Sequence, residues 1–160
     1  MSAPDDGFSE WFRGEYPPVL RVVSLIVGDP DLAQEVTQDA FEQALRRWSK
    51  VQHHERPGAW VRRVAIRRAV RTRDRRSREP RFDPIEPGTS PPDPDLVGAV
   101  VSLPRAQRAA VALFYLEDRP VTEVAELMGC TESTVKVHLH RARGRLAEAL
   151  ALDPEEVTGE

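Results

Sequence analysis

A proline-rich stretch divides this chain of 160 residues into two parts. Residues 79–95 read EPRFDPIEPGTSPPDPD and contain six of the 14 prolines. Proline fixes φ and lacks an amide donor, so the stretch cannot continue a helix and should form an extended, semi-rigid, acidic linker. Structureless loops beyond about 15 residues are uncommon inside compact domains. We therefore expect a first lobe of residues 8–78 and a second lobe of residues 96–151.

Apolar side chains recur at helical spacing in both lobes, and no alternating strand pattern competes with them. The longest stripe in the first lobe follows Asp29-Pro30, a favourable helix start, and comprises Leu32, Val36, Ala40 and Ala44. Two shorter stripes precede it, and we expect Pro17-Pro18 to separate them into two helices. The predicted fold class is all-α, with two small helical domains.

The second lobe contains a helix-turn-helix pattern. An apolar stripe from Val121 ends at Met128, Gly129 follows as a residue that can adopt positive φ, and Thr131 offers an N-cap for the next helix. At about 100° per residue, the inward face of that next helix comprises Val135, Leu139, Ala142 and Leu146. The opposite face is short and basic, as expected of a helix that enters a DNA major groove.

The net charge of -3 conceals a segmented charge distribution. Residues 46–81 carry 14 Lys and Arg against 3 acids, and residues 129–145 carry 4 against 1, whereas the remaining segments are acidic. Two basic blocks within an acidic chain indicate contact with a polyanion at two places. A solvated charged surface is the alternative.

Several classes of protein are disfavoured by what the sequence lacks. The single cysteine, Cys130, excludes an intramolecular disulfide and a cysteine-based zinc cluster and fits a reducing compartment. No apolar run approaches the roughly 18 residues of a membrane span, so we expect a cytoplasmic protein. His53-His54 has no further ligands nearby, and no phosphate-loop or nucleophile motif occurs. We expect no metal, no cofactor and no enzymatic activity.

The second lobe contains five short motifs: Leu103-Pro104, Ala125, Gly129-Cys130, Thr134-Val135-Lys136 and Arg141-Ala142-Arg143. With them, residues 103–146 resemble the C-terminal promoter-reading domain of bacterial RNA polymerase sigma factors. The resemblance implies that this lobe binds the -35 promoter element as duplex DNA. The residues assigned to that contact are Ser133, Thr134, Lys136, Val137, His140, Arg141 and Arg143, the last on the flank of the helix.

A matching pattern occurs in the first lobe, where Gln38-Asp39-Ala40-Phe41 follows Glu35 by about one turn. Residues 31–48 resemble the sigma-factor helix that binds a coiled coil of the polymerase largest subunit. The resemblance implies that Glu35, Gln38, Asp39 and Phe41 contact core polymerase. Acids that flank an exposed aromatic anchor would form a docking patch for a basic partner. Core packing is the alternative for Phe41.

The arginine-rich segment after Pro57 corresponds in position to the family's helices that open and read the -10 element. The family commonly shows Ala-Arg-Asn-x-x-x-Asp, and this chain has Arg67 and Arg71 in place of the Asn and the Asp. A guanidinium only donates hydrogen bonds, so phosphate binding is favoured over base reading. The residues predicted to contact -10 DNA are Trp60, Arg62, Arg63, Arg67, Arg68 and Arg71, with core packing as the alternative for Trp60.

The combined resemblance is to the small, two-domain extracytoplasmic-function (ECF) branch of the sigma factors. It implies core RNA polymerase and promoter DNA as partners, and an anti-sigma factor as a further compatible one. One alternative is a free-standing helix-turn-helix regulator that acts without polymerase. Another is a polymerase-binding protein that never reads promoters, an interpretation that Arg67 and Arg71 keep open.

Overall fold

The computed structural model describes residues 7–72 and 94–150, and within these two ranges every regular element is a helix. The first lobe contains α1 (Phe8–Val27), α2 (Pro30–Arg46), α3 (Trp48–Val51) and α4 (Pro57–Arg71). The second lobe contains α5 (Pro94–Val101), α6 (Arg105–Val111), a π-helical segment (Ala112–Leu116) that continues α6, α7 (Val121–Met128) and α8 (Glu132–Ala149). The predicted all-α class is confirmed.

Helix α2 begins where the sequence predicts. The side chain of Asp29 accepts a hydrogen bond from the amide of Asp31 at 3.0 Å, which satisfies one of the free donors of the first turn. Pro30 occupies the first helical position, where its missing N–H costs nothing. The apolar stripe of the sequence is buried as expected.

Helix α1 is continuous, so the predicted break at Pro17-Pro18 is wrong. A proline inside a helix removes a hydrogen bond and costs about 3 kcal/mol. Packing on both sides of the prolines compensates for this cost. The packed residues are Phe8, Trp11, Phe12 and Tyr16 before them and Val19, Val22, Val23 and Ile26 after them.

The two lobes pack directly against each other. Helices α1 and α4 of the first lobe contact α6 of the second, and α4 also contacts α7. Most of the buried apolar residues of both lobes belong to one hydrophobic core. Periodicity within each lobe predicts two modest cores but contains no information on contacts across the linker.

Most of the predicted linker, residues 79–93, lies outside the described residues, as do residues 73–78 and residue 151. Helix α5 begins at Pro94, so the last two residues of the proline-rich stretch are helical. Proline at the first helical position and Asp95 in the first turn both favour a helix start. None of the described helices is both long and apolar enough to span a membrane.

Candidate functional site

Helices α7 and α8 form the predicted helix-turn-helix. Helix α7 ends at Met128 and is capped by Gly129, whose φ of 73° and ψ of 37° are left-handed. The amides of Gly129 and Cys130 both donate to the carbonyl of Ala125, at 2.9 and 3.0 Å. The hydroxyl of Thr131 then accepts a hydrogen bond from the amide of Thr134 at 3.1 Å and caps α8. The predicted turn glycine and N-cap are confirmed.

The two faces of α8 differ as the sequence predicts. The inward face is buried: Val135, Leu139, Ala142 and Leu146. The residues predicted for the DNA-facing side are exposed, except Thr134, which is partly buried: Ser133, Lys136, Val137, His140 and Arg141. This surface, which we call the α8 face, is not covered by the first lobe among the described residues.

Arg143 is held at the flank of α8 by an aromatic residue that sequence reasoning missed. Its Nε donates to the hydroxyl of Tyr115 at 2.6 Å, and its guanidinium carbon lies 5.7 Å from the centre of the Tyr115 ring. A hydrogen bond together with a cation–π contact restricts the arginine to one orientation. Tyr115 belongs to the π-helical segment, and its partner is 28 residues away, so no local pattern identifies the pair.

Two further groups of the helix-turn-helix are uncharged at neutral pH. Burial, with the nearby charge of Arg141, lowers the pKa of His138, so its imidazole is mostly neutral at pH 7. Burial also raises the pKa of the Cys130 thiol. A protonated, partly buried thiol in this turn fills space and is a poor nucleophile.

A small ionic cluster orders the turn that precedes α7. Arg119 bonds to the carboxylate of Glu117 at 2.8 Å and to that of Glu123 on α7. Desolvation opposes the charge of Arg119, but the two carboxylates outweigh it and raise the pKa of the guanidinium. The cluster therefore positions the start of the helix-turn-helix.

The α4 residues predicted to contact -10 DNA do not share one surface. Arg68 lies 3.4 Å from Asp39 and 3.4 Å from Gln43, so it joins α4 to α2. Trp60 is partly buried and packs against the core, which is the alternative to its predicted contact with DNA. Arg62 is also partly buried, whereas Arg71 is exposed at the end of the helix.

Arg63 and Arg67 reach across to the second lobe. Arg67 Nη2 donates to the main-chain carbonyl of Glu126 at 2.8 Å, and Arg63 lies 3.8 Å from the Glu126 carboxylate. That carbonyl belongs to the last turn of α7, where it also accepts a hydrogen bond from the amide of Gly129 at 3.3 Å, and the end of a helix carries a partial negative charge. Two arginines predicted to bind DNA are therefore engaged by the other lobe in this arrangement.

Phe41 lies in the core, which corrects its prediction as an exposed anchor. Only 2% of its surface is exposed. Its ring centre lies 5.4, 5.1 and 5.5 Å from those of Trp11, Phe12 and Tyr16. The exposed apolar residue of this helix is Leu45, with 55% of its surface accessible. Its position seven residues after Gln38, on the same helix face, is the sequence signal that could have identified it.

The remaining predicted polymerase contacts lie around Leu45. Gln38 is exposed, and Glu35 is partly buried. Asp39 is also partly exposed, although its carboxylate pairs with Arg68 and so joins α2 to α4. Glu42 adds a further exposed carboxylate. We call this surface the α2 face: Glu35, Gln38, Asp39, Glu42 and Leu45.

The residues that the structure describes hold no group of three His, Cys, Asp or Glu side chains suited to a metal ion. His54, one of the two adjacent histidines, accepts a hydrogen bond from the amide of Arg56 at 3.3 Å. That contact stabilises a loop turn.

Comparison with known proteins identifies the family. The model described as Sigma-70 region 2 matches residues 11–79, and the model described as Sigma-70, region 4 matches residues 95–146. The RNA polymerase sigma-E factor of Streptomyces coelicolor is 31% identical over 153 residues, which cover 89% of this chain and 85% of that protein. This chain belongs to the sigma-70 family of RNA polymerase sigma factors.

Other relatives place this sigma factor beside the ECF branch. The ECF RNA polymerase sigma factor SigM of Mycobacterium tuberculosis is 27% identical over 151 residues, which cover 89% of this chain and 76% of SigM. A solved structure of the sigma factor RpoE in complex with the anti-sigma factor NepR, from Bartonella quintana, has a similar fold. Its TM-score is 0.69 at 22% identity, and the match covers 91% of this chain and 98% of RpoE. The matches indicate no catalytic family and favour a sigma factor over a free-standing regulator.

Proposed function

We propose that this protein is an ECF sigma factor that binds core RNA polymerase in the cytoplasm, directs it to specific promoters and catalyses no reaction itself. The observation that carries the proposal is the exposed, basic α8 face on a capped helix-turn-helix. It is joined to a first lobe that matches sigma region 2. A free-standing regulator would not need that first lobe.

The α8 face has side chains suited to reading duplex DNA. Lys136 and Arg141 are exposed cations that can reach phosphates or guanine edges. Val137, with 44% of its surface exposed, supplies an apolar contact for a thymine methyl group. Arg143, which Tyr115 restrains, would contact the DNA backbone and fix the orientation of the helix.

The α2 face is suited to a basic partner helix. Its exposed Leu45 would be the apolar anchor, and Gln38 and Glu42 would supply hydrogen bonds and negative charge around it. Asp39 has a second role in this scheme, since its bond to Arg68 holds the α2 face against α4.

Promoter binding requires the lobes to separate. Helix α4 packs on α7 and α7 packs on α8, and packed helix axes lie about 8–10 Å apart, so α4 and α8 are within about 20 Å of each other. Promoter elements two helical turns apart are separated by about 70 Å. The contacts of Arg63 and Arg67 with Glu126 must therefore break before both DNA elements are engaged.

Runoff transcription from a genomic DNA library, with core polymerase and with or without this protein, tests the proposal. We expect new transcripts that share two upstream elements about two helical turns apart. Arg141→Ala should reduce them, whereas the matched variant Arg13→Ala, which removes an exposed arginine of α1 outside the α8 face, should not.

Two outcomes would contradict the proposal. Specific binding to an operator without core, and no new transcripts with it, would identify a free-standing regulator. Stable association with core that never yields promoter-specific transcripts would identify a polymerase-binding protein that does not read promoters.

A further inference from the structure

A basic cleft of about 670 Å³ lies where the two lobes meet. Arg71 at the end of α4 contributes from the first lobe, and Arg105, Arg108 and Arg145 contribute from α6 and α8 of the second. The described lining residues include four arginines and no carboxylate. Guanidinium groups brought together from two lobes create a positive potential that attracts anions.

Arg108 is the least solvated of the four arginines. Only 7% of its surface is exposed, and its Nε is buried without a hydrogen-bond partner among the described residues. Burial, with repulsion from Arg105, lowers the pKa of Arg108 to about 10, so it is still charged at pH 7. A buried hydrogen-bond donor that lacks a partner is costly, and Arg108 Nε is such a donor among the described residues.

We propose that this cleft binds a small ligand with two adjacent phosphate groups, which contacts both lobes at once. Guanidinium groups bind phosphate oxygens through paired, charge-assisted hydrogen bonds. A pair of phosphates carries about three to four negative charges at pH 7, enough to balance Arg71, Arg108 and Arg145. The cleft also has the size of a small-molecule site, about 300–1,000 Å³.

A ligand that spans the lobes favours their packed arrangement. Because separated lobes cannot offer Arg71 and Arg145 together, such a ligand binds the closed form selectively. At a free concentration 100 times its Kd, it raises the ratio of closed to open molecules about 100-fold. The binding of this ligand does not depend on the proposed function. Any effect of the ligand on transcription does rest on that function.

Isothermal titration calorimetry of the full chain with sodium pyrophosphate, at constant ionic strength, tests the proposal. We expect one site, with sulfate binding at least about tenfold more weakly because it offers fewer oxygens to the arginines. Arg71→Gln and Arg145→Gln change exposed residues, one in each lobe, and each should weaken binding about tenfold. Loss in both variants would show that the ligand spans the lobes.

Two further variants separate a specific site from general charge. Arg108→Met should abolish measurable binding, and its folding can be checked by circular dichroism; the exposed pair above tests the site even if this variant unfolds. Arg46→Gln is the matched control, since Arg46 is 68% exposed on α2 and does not line the cleft. Its affinity for pyrophosphate should equal that of the unchanged protein.

Three results would overturn the proposal. The first is no pyrophosphate binding at millimolar concentration, or an equal loss in Arg46→Gln. The second is a pair of findings: the parent protein does not bind pyrophosphate, and Arg108→Met binds duplex DNA more weakly than the parent does. Together these would assign the cleft to DNA phosphates. The third is pyrophosphate binding by a full-length triple variant, Asp83→Asn, Glu86→Gln and Asp93→Asn, but not by the parent protein. That result would mean that the protein's own carboxylates occupy the cleft.

Discussion

Two apolar residues on α2, Phe41 and Leu45, should respond to substitution in opposite ways. Phe41 is 2% exposed and packs against three aromatic rings, so Phe41→Ala should lower the free energy of unfolding by about 3–5 kcal/mol. Leu45 is 55% exposed, so Leu45→Ala should change that free energy by less than about 0.5 kcal/mol.

Binding to core polymerase should show the reverse order. An apolar anchor at the centre of an interface contributes about 1–2 kcal/mol or more, so Leu45→Ala should raise the Kd about five- to thirtyfold. Phe41→Leu keeps an apolar side chain in the core and should leave the affinity of the folded protein unchanged. The matched surface control is Arg13→Ala, an exposed position on α1 outside the α2 face.

Urea denaturation followed by circular dichroism measures the first effect, and fluorescence anisotropy of the labelled protein titrated with core polymerase measures the second. The reasoning is refuted if Phe41→Leu weakens core binding more than Leu45→Ala does at comparable stability. That result would mean that the aromatic cluster around Phe41 opens when polymerase binds.

Three further predictions concern the lobe contact and the helix-turn-helix. Arg67→Met removes a charged hydrogen bond and should shift the lobes toward the open form about tenfold or more, whereas Glu126→Gln removes an exposed ion pair and should shift them at most about fivefold. Distance measurements between labels on the two lobes report both shifts, and equal shifts would contradict the assignment. The folded-state pKa of His138 is lowered, so the unfolded chain binds that proton more tightly. The stability that His138 contributes is therefore complete above pH 6.5, its ordinary pKa, and is lost as the pH falls below that value. Urea titrations at several pH values should show this loss in the parent protein but not in a His138→Gln variant. Gly129→Ala should cost about 1–2 kcal/mol because φ is 73°, and the added Cβ would also lie 2.9 Å from Arg67 Nε, so that side chain must shift. Gly144→Ala, in open space within α8, should instead stabilise by up to about 1 kcal/mol. Thermal unfolding compares the two variants, and similar effects would contradict this reasoning.

Local patterns in the sequence were sufficient to predict the helix-turn-helix. The positive φ of Gly129, the cap from Thr131 to Thr134 and the buried stripe of α8 all involve residues within one or two turns of each other. Hydrogen bonds and apolar periodicity over such short separations are encoded directly in residue order. The all-α class follows for the same reason.

The interfaces depended on tertiary structure. Pro17-Pro18 lies within a continuous helix because packing on both sides outweighs a local penalty. Phe41 is buried because residues of α1 close over it, and the same helix leaves Leu45 exposed. A helical period shows which residues share a face but not what covers that face.

The arrangement of the two lobes was also beyond the sequence. Arg67 and Glu126 are 59 residues apart and lie on opposite sides of the linker, yet they form a direct hydrogen bond. The basic cleft likewise combines Arg71 and Arg145, which belong to different lobes. The sequence shows that these arginines are present. Their positions relative to one another result from the burial of apolar surfaces of both lobes in one core.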